Sequence, residues 1–517
     1  MNWKVIVKSL GHSEMRRRIL AVLGILFLFR ILAFIPVPLS DPETLKQVLE
    51  NLVTQAQNTQ FLNFLNTLSG GALANFAIVL VGLGPYINAS IIMQLLTRAV
   101  PKLEALNKEG EFGRKKINQY TRMLTLPLAV IQSIGTIYLI RQTASSLGGL
   151  GDITADSSLA QWALMVAALT GGAMLLMWMG ELITERGLGN GISLIITIGI
   201  VSSLPYLISQ LYGDVRWDGD DPVDDKWSLF GYDLSQRGVW TLLAIALATV
   251  LVTWAVVKLN EARRQLTVHY AKRVQGNRTY GGVTTILPVK LITAGVIPII
   301  FAVAFLSIPS FVGQLLAGGI AAGGVPANRW QELGVTLTNL FQNPTQATFA
   351  AGGWEPWVYP TVYFLLVFIF TYFYTSVAFN AKDIAENLQK QGGFLEDVRS
   401  GKQTEKMLSR TVNRLTLFGA TALGLLAVMP ILGQIYVPSQ NLAIGGTSIL
   451  ILVAVALETL RQIESRALMV TYDQYEAPTY FGGETDRPAA TLSRRHRLAG
   501  RLRPRMPKRF GRASRKG

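Results

Sequence analysis

The chain contains no cysteine, which excludes disulfide bridges and thiolate metal ligands. Its three histidines, His12, His269 and His496, are scattered outside the apolar stretches and form no metal-binding pattern. Charge is sparse: Asp, Glu, Lys and Arg supply 15% of the residues against 50% hydrophobic ones, a balance that suits a surface facing lipid rather than water. Within the apolar stretches there is neither a nucleophile with its base nor a pair of positioned carboxylates, so acid–base and covalent catalysis lack their parts. A protein that is not an enzyme and needs no cofactor is expected. Ion-coupled carriers place ionisable groups at mid-membrane, whereas Glu181 and Glu458 lie toward the ends of their stretches.

What is abundant is apolar sequence of membrane-spanning length. A helix needs about 20 apolar residues to cross the hydrocarbon core, and ten stretches qualify: 19–38, 76–97, 123–140, 159–182, 192–212, 238–257, 286–312, 358–379, 415–436 and 442–460. The loops between them alternate in charge. Lys4, Lys8, Arg16, Arg17 and Arg18 precede the first stretch, while Asp41, Glu43 and Glu50 against the single Lys46 follow it. Lys108, Arg114, Lys115 and Lys116 come next, and Asp214, Asp218, Asp220, Asp221, Asp224 and Asp225 follow the fifth stretch. Basic loops stay in the cytoplasm, so residues 1–18 and the C-terminus are both expected inside, with 213–237 outside. The first stretch ends in Ile35-Pro36-Val37-Pro38 rather than in small residues, and is expected to remain as a helix rather than be cleaved as a signal. Arg30 within it either serves the bundle interior or snorkels to the outer surface, and both readings stay open.

Two stretches are broken. Phe61 to Leu96 is too long for one span and is interrupted by Ser69-Gly70-Gly71 and by Gly82, Gly84 and Pro85. A short half-helix followed by a full helix fits, because irregular backbone at membrane depth must be surrounded by protein or line a cavity; a short amphipathic helix on the outer surface fits the composition equally. The seventh stretch carries Ala294-Gly295-Val296-Ile297-Pro298, which predicts a kink. Two basic-side loops, 258–287 and 380–414, are longer than a connection requires. They mix cations with Val268, Tyr270, Val274, Tyr280, Phe394, Leu395 and Val398, the composition of a docking surface. The turn Thr184 to Gly191 is rich in glycine but lacks the lysine and preceding strand of a phosphate-binding loop. Much of the net charge of +16 gathers after residue 487, in Arg494, Arg495, Arg497, Arg501, Arg503, Arg505, Lys508, Arg509, Arg512 and Arg515. A basic tail over 463–517, disordered from about 483, would be drawn to anionic lipid or RNA.

Several segments together resemble the SecY family, the channel subunits of bacterial protein-conducting translocons. They are Ser69-Gly70-Gly71-Ala72-Leu73 with Gly84-Pro85-Tyr86-Ile87-Asn88-Ala89-Ser90; ELITERGLGNGIS at 181–193; Tyr270-Ala271-Lys272-Arg273; LPVKLITAGVIPIIFA at 287–302; Gly392-Gly393-Phe394 through Arg399; and Gly445-Gly446-Thr447-Ser448. The resemblance covers about residues 10 to 475. It implies an all-α polytopic membrane protein, a clamshell of ten transmembrane helices in two inverted halves, 19–212 and 238–462, around an hourglass pore. It further implies a plug at roughly 62–75, including Leu65, Ser69, Gly70, Gly71 and Ala72. A constriction ring would map onto Leu83, Ile87, Ile196, Ile300, Ala304 and Ile451, although ordinary helix packing would explain each of these alone. Such a ring seals by dewetting and flexes around a polypeptide without binding it.

The exit toward lipid in this family lies between the second, third, seventh and eighth helices, which points here to Gln132, Thr293, Gly295 and Pro298. Docking of a motor or ribosome would fall on Arg263, Arg264, Lys272, Arg273 and Arg399. Two positions depart from the family pattern: Ile292 stands where an asparagine is common, leaving Thr293 as its polar substitute, and Ser400 stands where many relatives have proline. The partners implied are small membrane subunits of the SecE and SecG kind, the SecA motor ATPase, the ribosome, signal sequences, unfolded precursors and anionic lipid, at a bacterial plasma membrane. The rival class is an inverted-repeat secondary transporter for a small solute, which buried ionisable residues would favour.

Overall fold

The computed structural model describes residues 12–37, 66, 69–146, 158–216, 226–229, 232–270, 273–275, 278–280, 282, 284–295, 297–317, 328–344, 346–396, 398–433, 435 and 440–472. Two compact units divide the chain, Met1–Ala467 and Leu468–Gly517. Of the second, only residues 468–472 are described, as helix with Leu468 and Met469 exposed; the Arg-rich stretch after 487 and the Asp cluster at 218–225 lie outside the described residues.

Helices fall on all ten expected stretches. In chain order the α-helices are α1 (Ser13–Leu32), α2 (Gly84–Ala99), α3 (Pro101–Lys108), α4 (Glu111–Ser146), α5 (Leu159–Glu185), α6 (Gly191–Val215), α7 (Gln236–Glu261), α8 (Ile297–Leu316), α9 (Arg329–Leu340), α10 (Gln346–Ala350), α11 (Glu355–Ala378), α12 (Ala381–Lys390), α13 (Lys402–Gly433) and α14 (Gln440–Tyr472). Among the described residues six of them, α4, α5, α7, α8, α11 and α13, are long and apolar enough to cross a membrane. Local chemistry sets their ends. Ser158 caps α5 reciprocally with Gln161, and the Asn190 side chain accepts from the Ile192 N–H at the start of α6. The glycine-rich turn between α5 and α6 is a packing device: a Cβ on Gly191 would fall 1.9 Å from the Gly180 carbonyl oxygen.

Two helix starts differ from expectation. α2 begins at Gly84 rather than near 76, because Phe76 and Gly82 have φ of 44° and 63° and the chain runs through turns until Pro85 opens the helix. The seventh stretch is not a kinked helix: residues 284–290 form a strand, Gly295 turns the chain at φ 64°, and α8 starts at Ile297 with Pro298 in its first turn. A proline there loses no intrahelical hydrogen bond.

The strands were invisible to hydropathy. β3 (Arg263–Tyr270) pairs antiparallel with β6 (Thr284–Lys290) on one side and with β7 (Gly393–Leu395) on the other, so the two long loops share one sheet. Leu266, Val268, Val289 and Leu395 are buried beneath it against Ala385 and Leu388 of α12 and Leu408 and Val412 of α13. Val268 and Leu395, expected on a docking surface, are therefore core, while Phe394 stays exposed. Two short hairpins are also described, β1–β2 (Lys226–Leu229, Tyr232–Ser235) and β4–β5 (Arg273–Gln275, Arg278–Tyr280).

One large apolar cluster draws buried residues from α1, α2, α5, α6, α7, α8, α11, α13 and α14. A second joins Leu73, Phe76, Leu80 and Val81 to α4 and α5.

Candidate functional site

All six ring candidates are buried and belong to the large cluster. Leu83 precedes α2 and Ile87 lies one turn into it; Ile300 and Ala304 sit one turn apart on α8; Ile196 is on α6 and Ile451 on α14. Spacing of four residues keeps each pair on one helix face. Helices from both sides of the 213–237 loop thus contribute aliphatic side chains to one apolar cluster.

The segment before α2 is seated in protein. Leu65 lies outside the described residues, but Ser69, Gly70 and Ala72 are buried and Gly71 is half-buried. Gly70 and Gly71 take φ of 70° and 83°, conformations that favour glycine. The Asn75 side chain donates to the Ala33 carbonyl at 3.4 Å, the Val37 N–H to Phe76 O at 2.9 Å, and the Ile78 N–H to Ile35 O at 2.9 Å. Arg30 settles its open choice: its Nη1 donates to the Gly70 carbonyl at 2.6 Å, so the guanidinium serves the interior. The alternative of a short amphipathic helix on the outer surface falls on a stretch described only in part; of its described residues Ser69, Gly70, Ala72 and Leu73 are buried.

At the expected exit, α8 packs against both α2 and α4. Gln132 is buried on α4, and a Cβ on Gly84 would fall 3.0 Å from its Nε2; a Cβ on Gly135 would fall 2.2 Å from Cζ of Phe311 on α8. Pro298 is buried, whereas Thr293 and Gly295 are half-buried in the turn before α8. Ile292 packs in the large cluster and lines a small, mostly apolar cavity of about 10 Å³ with Val256, Leu259 and Leu450. The position that is often polar in the family is apolar packing here.

Arg263 and Arg264 on β3 are exposed, as is Arg399, four residues past the end of β7. The Arg399 carbonyl accepts from Thr404 Oγ1 at 2.9 Å within its own loop, while Glu396 accepts from Thr267 Oγ1 at 2.7 Å and ties the two loops together. Glu396 is thereby directed to Thr267, and no ion pair joins it to Arg399 among the described residues. Arg273 opens β4, and Lys272 lies outside the described residues.

Sequence reasoning missed the polar ties between elements. Arg122 of α4 pairs with Glu181 of α5, Nε to Oε1 at 2.8 Å and Nη2 to Oε2 at 2.5 Å, and Arg98 of α2 donates to the Ser376 carbonyl of α11 at 2.7 Å. Nothing in one sequence links residues so far apart; the only signal was that each lies at the end of an apolar stretch. Among the described residues no group of His, Asp or Glu could hold a metal ion.

An aliphatic centre fed by many helices, with a glycine-held segment seated beside it, has the parts of a gated membrane channel. The family model of SecY matches residues 77–460. The protein translocase subunit SecY of Mycobacterium leprae is 37% identical over 476 residues, covering 91% of this chain and 98% of that protein. A solved structure of a protein-conducting channel superposes with a TM-score of 0.56 at 17% identity, covering 88% of this chain and 93% of that one. The Sec61 chain of a canine ribosome–channel complex from the endoplasmic reticulum gives a TM-score of 0.54 over 88% of this chain and 93% of its own length. The chain belongs to the SecY family. Membership leaves the solute-carrier alternative without support.

Proposed function

We propose that this chain is the pore of a protein translocase, conducting unfolded polypeptides across a bacterial plasma membrane and releasing apolar segments sideways into lipid. The observation that carries this is the burial of Leu83, Ile87, Ile196, Ile300, Ala304 and Ile451, from four helices and the turn before α2, in one large apolar cluster that also takes in Ala72, Ala77 and Val79 of the seated segment. Ten spans in two inverted halves, 19–212 and 238–462, would surround that centre, with both termini in the cytoplasm. Closed, the aliphatic ring expels water and ions; opened by a polypeptide, it yields by rotamer changes and offers no hydrogen-bond partner that would trap the passenger. The 62–75 plug completes the seal, and the α2–α4–α8–α11 seam is the lateral exit.

The protein supplies a path rather than a reaction, so the drive comes from a SecA-type motor or a ribosome docking on the β3–β6–β7 sheet through Arg263, Arg264 and Arg399. Lys272 and Arg273 follow β3 in sequence and add to the positive charge of the same loop. α7 is the least buried of the six spans and carries exposed Trp240, Leu247, Val250 and Trp254, which suits cover by SecE-like or SecG-like membrane subunits. Reconstitution with the motor tests the whole proposal: a signal-bearing precursor should become protease-protected inside vesicles. Failure with both motor and ribosome would overturn it.

A further inference from the structure

The carbonyl of Gly70 accepts two hydrogen bonds, from Arg30 Nη1 at 2.6 Å and from Ser202 Oγ at 3.0 Å. The donors stand on α1 and α6, on either side of the seated segment in sequence. The same two helices press on the backbone: a Cβ on Gly70 would fall 3.0 Å from Phe29 Cζ and 3.2 Å from the Gly199 Cα. The two donors are unequal. Ser202 has one hydroxyl hydrogen and also faces the Gly199 carbonyl at 2.7 Å, so its bond to Gly70 is shared. Arg30 keeps its charge and gives a charge-assisted bond, while the Phe34 ring lies 5.0 Å from its guanidinium. An arginine within an apolar helix is costly unless it has a partner. Here the partner is a backbone carbonyl that leaves only if the segment moves.

We propose that Arg30 is the positioning residue that latches the plug, and that breaking its bond to Gly70 is a step of channel opening. The inference rests on the plug reading of residues 62–75. When the segment departs, the guanidinium must be rehydrated or find another acceptor, so the seated state is favoured until water or a polypeptide fills the space.

The absence of cysteine supplies the probe. Ser69 is fully buried in the seat, so Ser69→Cys, the sole thiol, reacts with a maleimide only when the segment leaves. In the full chain reconstituted in vesicles, Arg30→Gln should raise the labelling rate about tenfold, equivalent to ~1.4 kcal/mol. Arg30→Lys should raise it about threefold and Ser202→Ala less than that, with precursor-free ion leak rising in the same order and melting temperature unchanged. Parental labelling in either Arg30 variant would overturn the latch, and the Lys variant decides if Arg30→Gln does not fold. Deleting 62–75 separates the two claims. A deletion that leaks while Arg30 variants label at the parental rate refutes the latch alone; a deletion that stays tight refutes the plug reading with it.

Discussion

Gly135→Ala should loosen the lateral seam. In this structure the new methyl would lie 2.2 Å from Cζ and 2.8 Å from Cε2 of Phe311, distances at which something must move. Phe311 and Leu315 pack against the cluster containing Ile137, Ile140 and Met165, so the ring has little room and part of the displacement passes to α8. Overpacking of this kind costs about 1–3 kcal/mol. Because the clash exists only while α4 and α8 are together, the cost falls on the closed state and favours opening by about 5- to 150-fold. Folding is affected less, since alanine in a helix interior recovers about 0.5–1 kcal/mol relative to glycine. The assay is motor-driven transport of a precursor with a defective signal segment, which should rise while melting temperature stays near the parent. Phe311→Ala removes the atoms the methyl meets, so the double variant should transport no better than Phe311→Ala alone. Parental behaviour of Gly135→Ala, or an effect that persists undiminished without the Phe311 ring, would refute the seam.

Three further outcomes follow from the proposed function. Ile87→Ser with Ile300→Ser places two hydroxyls in the aliphatic centre and should produce precursor-free ion conductance in bilayers, where a channel as tight as the parent would remove the ring assignment. Arg399→Glu should nearly abolish motor-driven transport with no change in melting temperature, Arg399→Lys should be intermediate because it cannot make two parallel bonds, and Lys402→Ala should transport at the parental rate; a parental rate for Arg399→Glu would move motor coupling to the Arg263–Tyr280 loop. Removing residues 487–517 should flatten the salt dependence of ribosome or vesicle binding, since each phosphate that the tail neutralises releases about one counterion, and an unchanged slope would deny the tail that role.

Much of the helical scaffold was legible because a membrane helix is specified by local quantities, apolar length and flanking charge. What escaped depended on partners distant in sequence. β3 meets β7 through Val268 opposite Leu395 and His269 opposite Phe394, and a three-residue strand carries too little alternation to announce itself. The cations around Val268 and Leu395 suggested an exposed docking face, yet burial is decided by α12 and α13 beneath. The start of α8 was hidden for another reason. Gly295 and Pro298 are the same residues a kinked helix would use, and only the pairing of Thr284–Lys290 with β3 determines that the chain is a strand before the glycine. Arg30 was undecidable because the acceptor it needed is a carbonyl, which every residue possesses.

That choice of acceptor bears on how the parts move. Of three salt bridges joining described residues to each other, two are i,i+4 pairs within a helix, and Arg122–Glu181 joins two helices, α4 and α5, both in the proposed N-terminal half. The ties across the boundaries proposed to open are of another kind: Arg30 to Gly70 O at the plug and Arg98 to Ser376 O between α2 and α11. A fully buried ion pair, which none of these three is, would cost about 3–5 kcal/mol to separate, whereas a charged donor leaving a carbonyl gives up about 1.5–3 kcal/mol, and an exposed contact such as that of Arg98 less than about 1 kcal/mol. A channel that must open for each passenger and reseal afterwards needs contacts in the lower range. Arginine on carbonyl supplies them without placing an acid in the path, as the inward-turned Arg30 does.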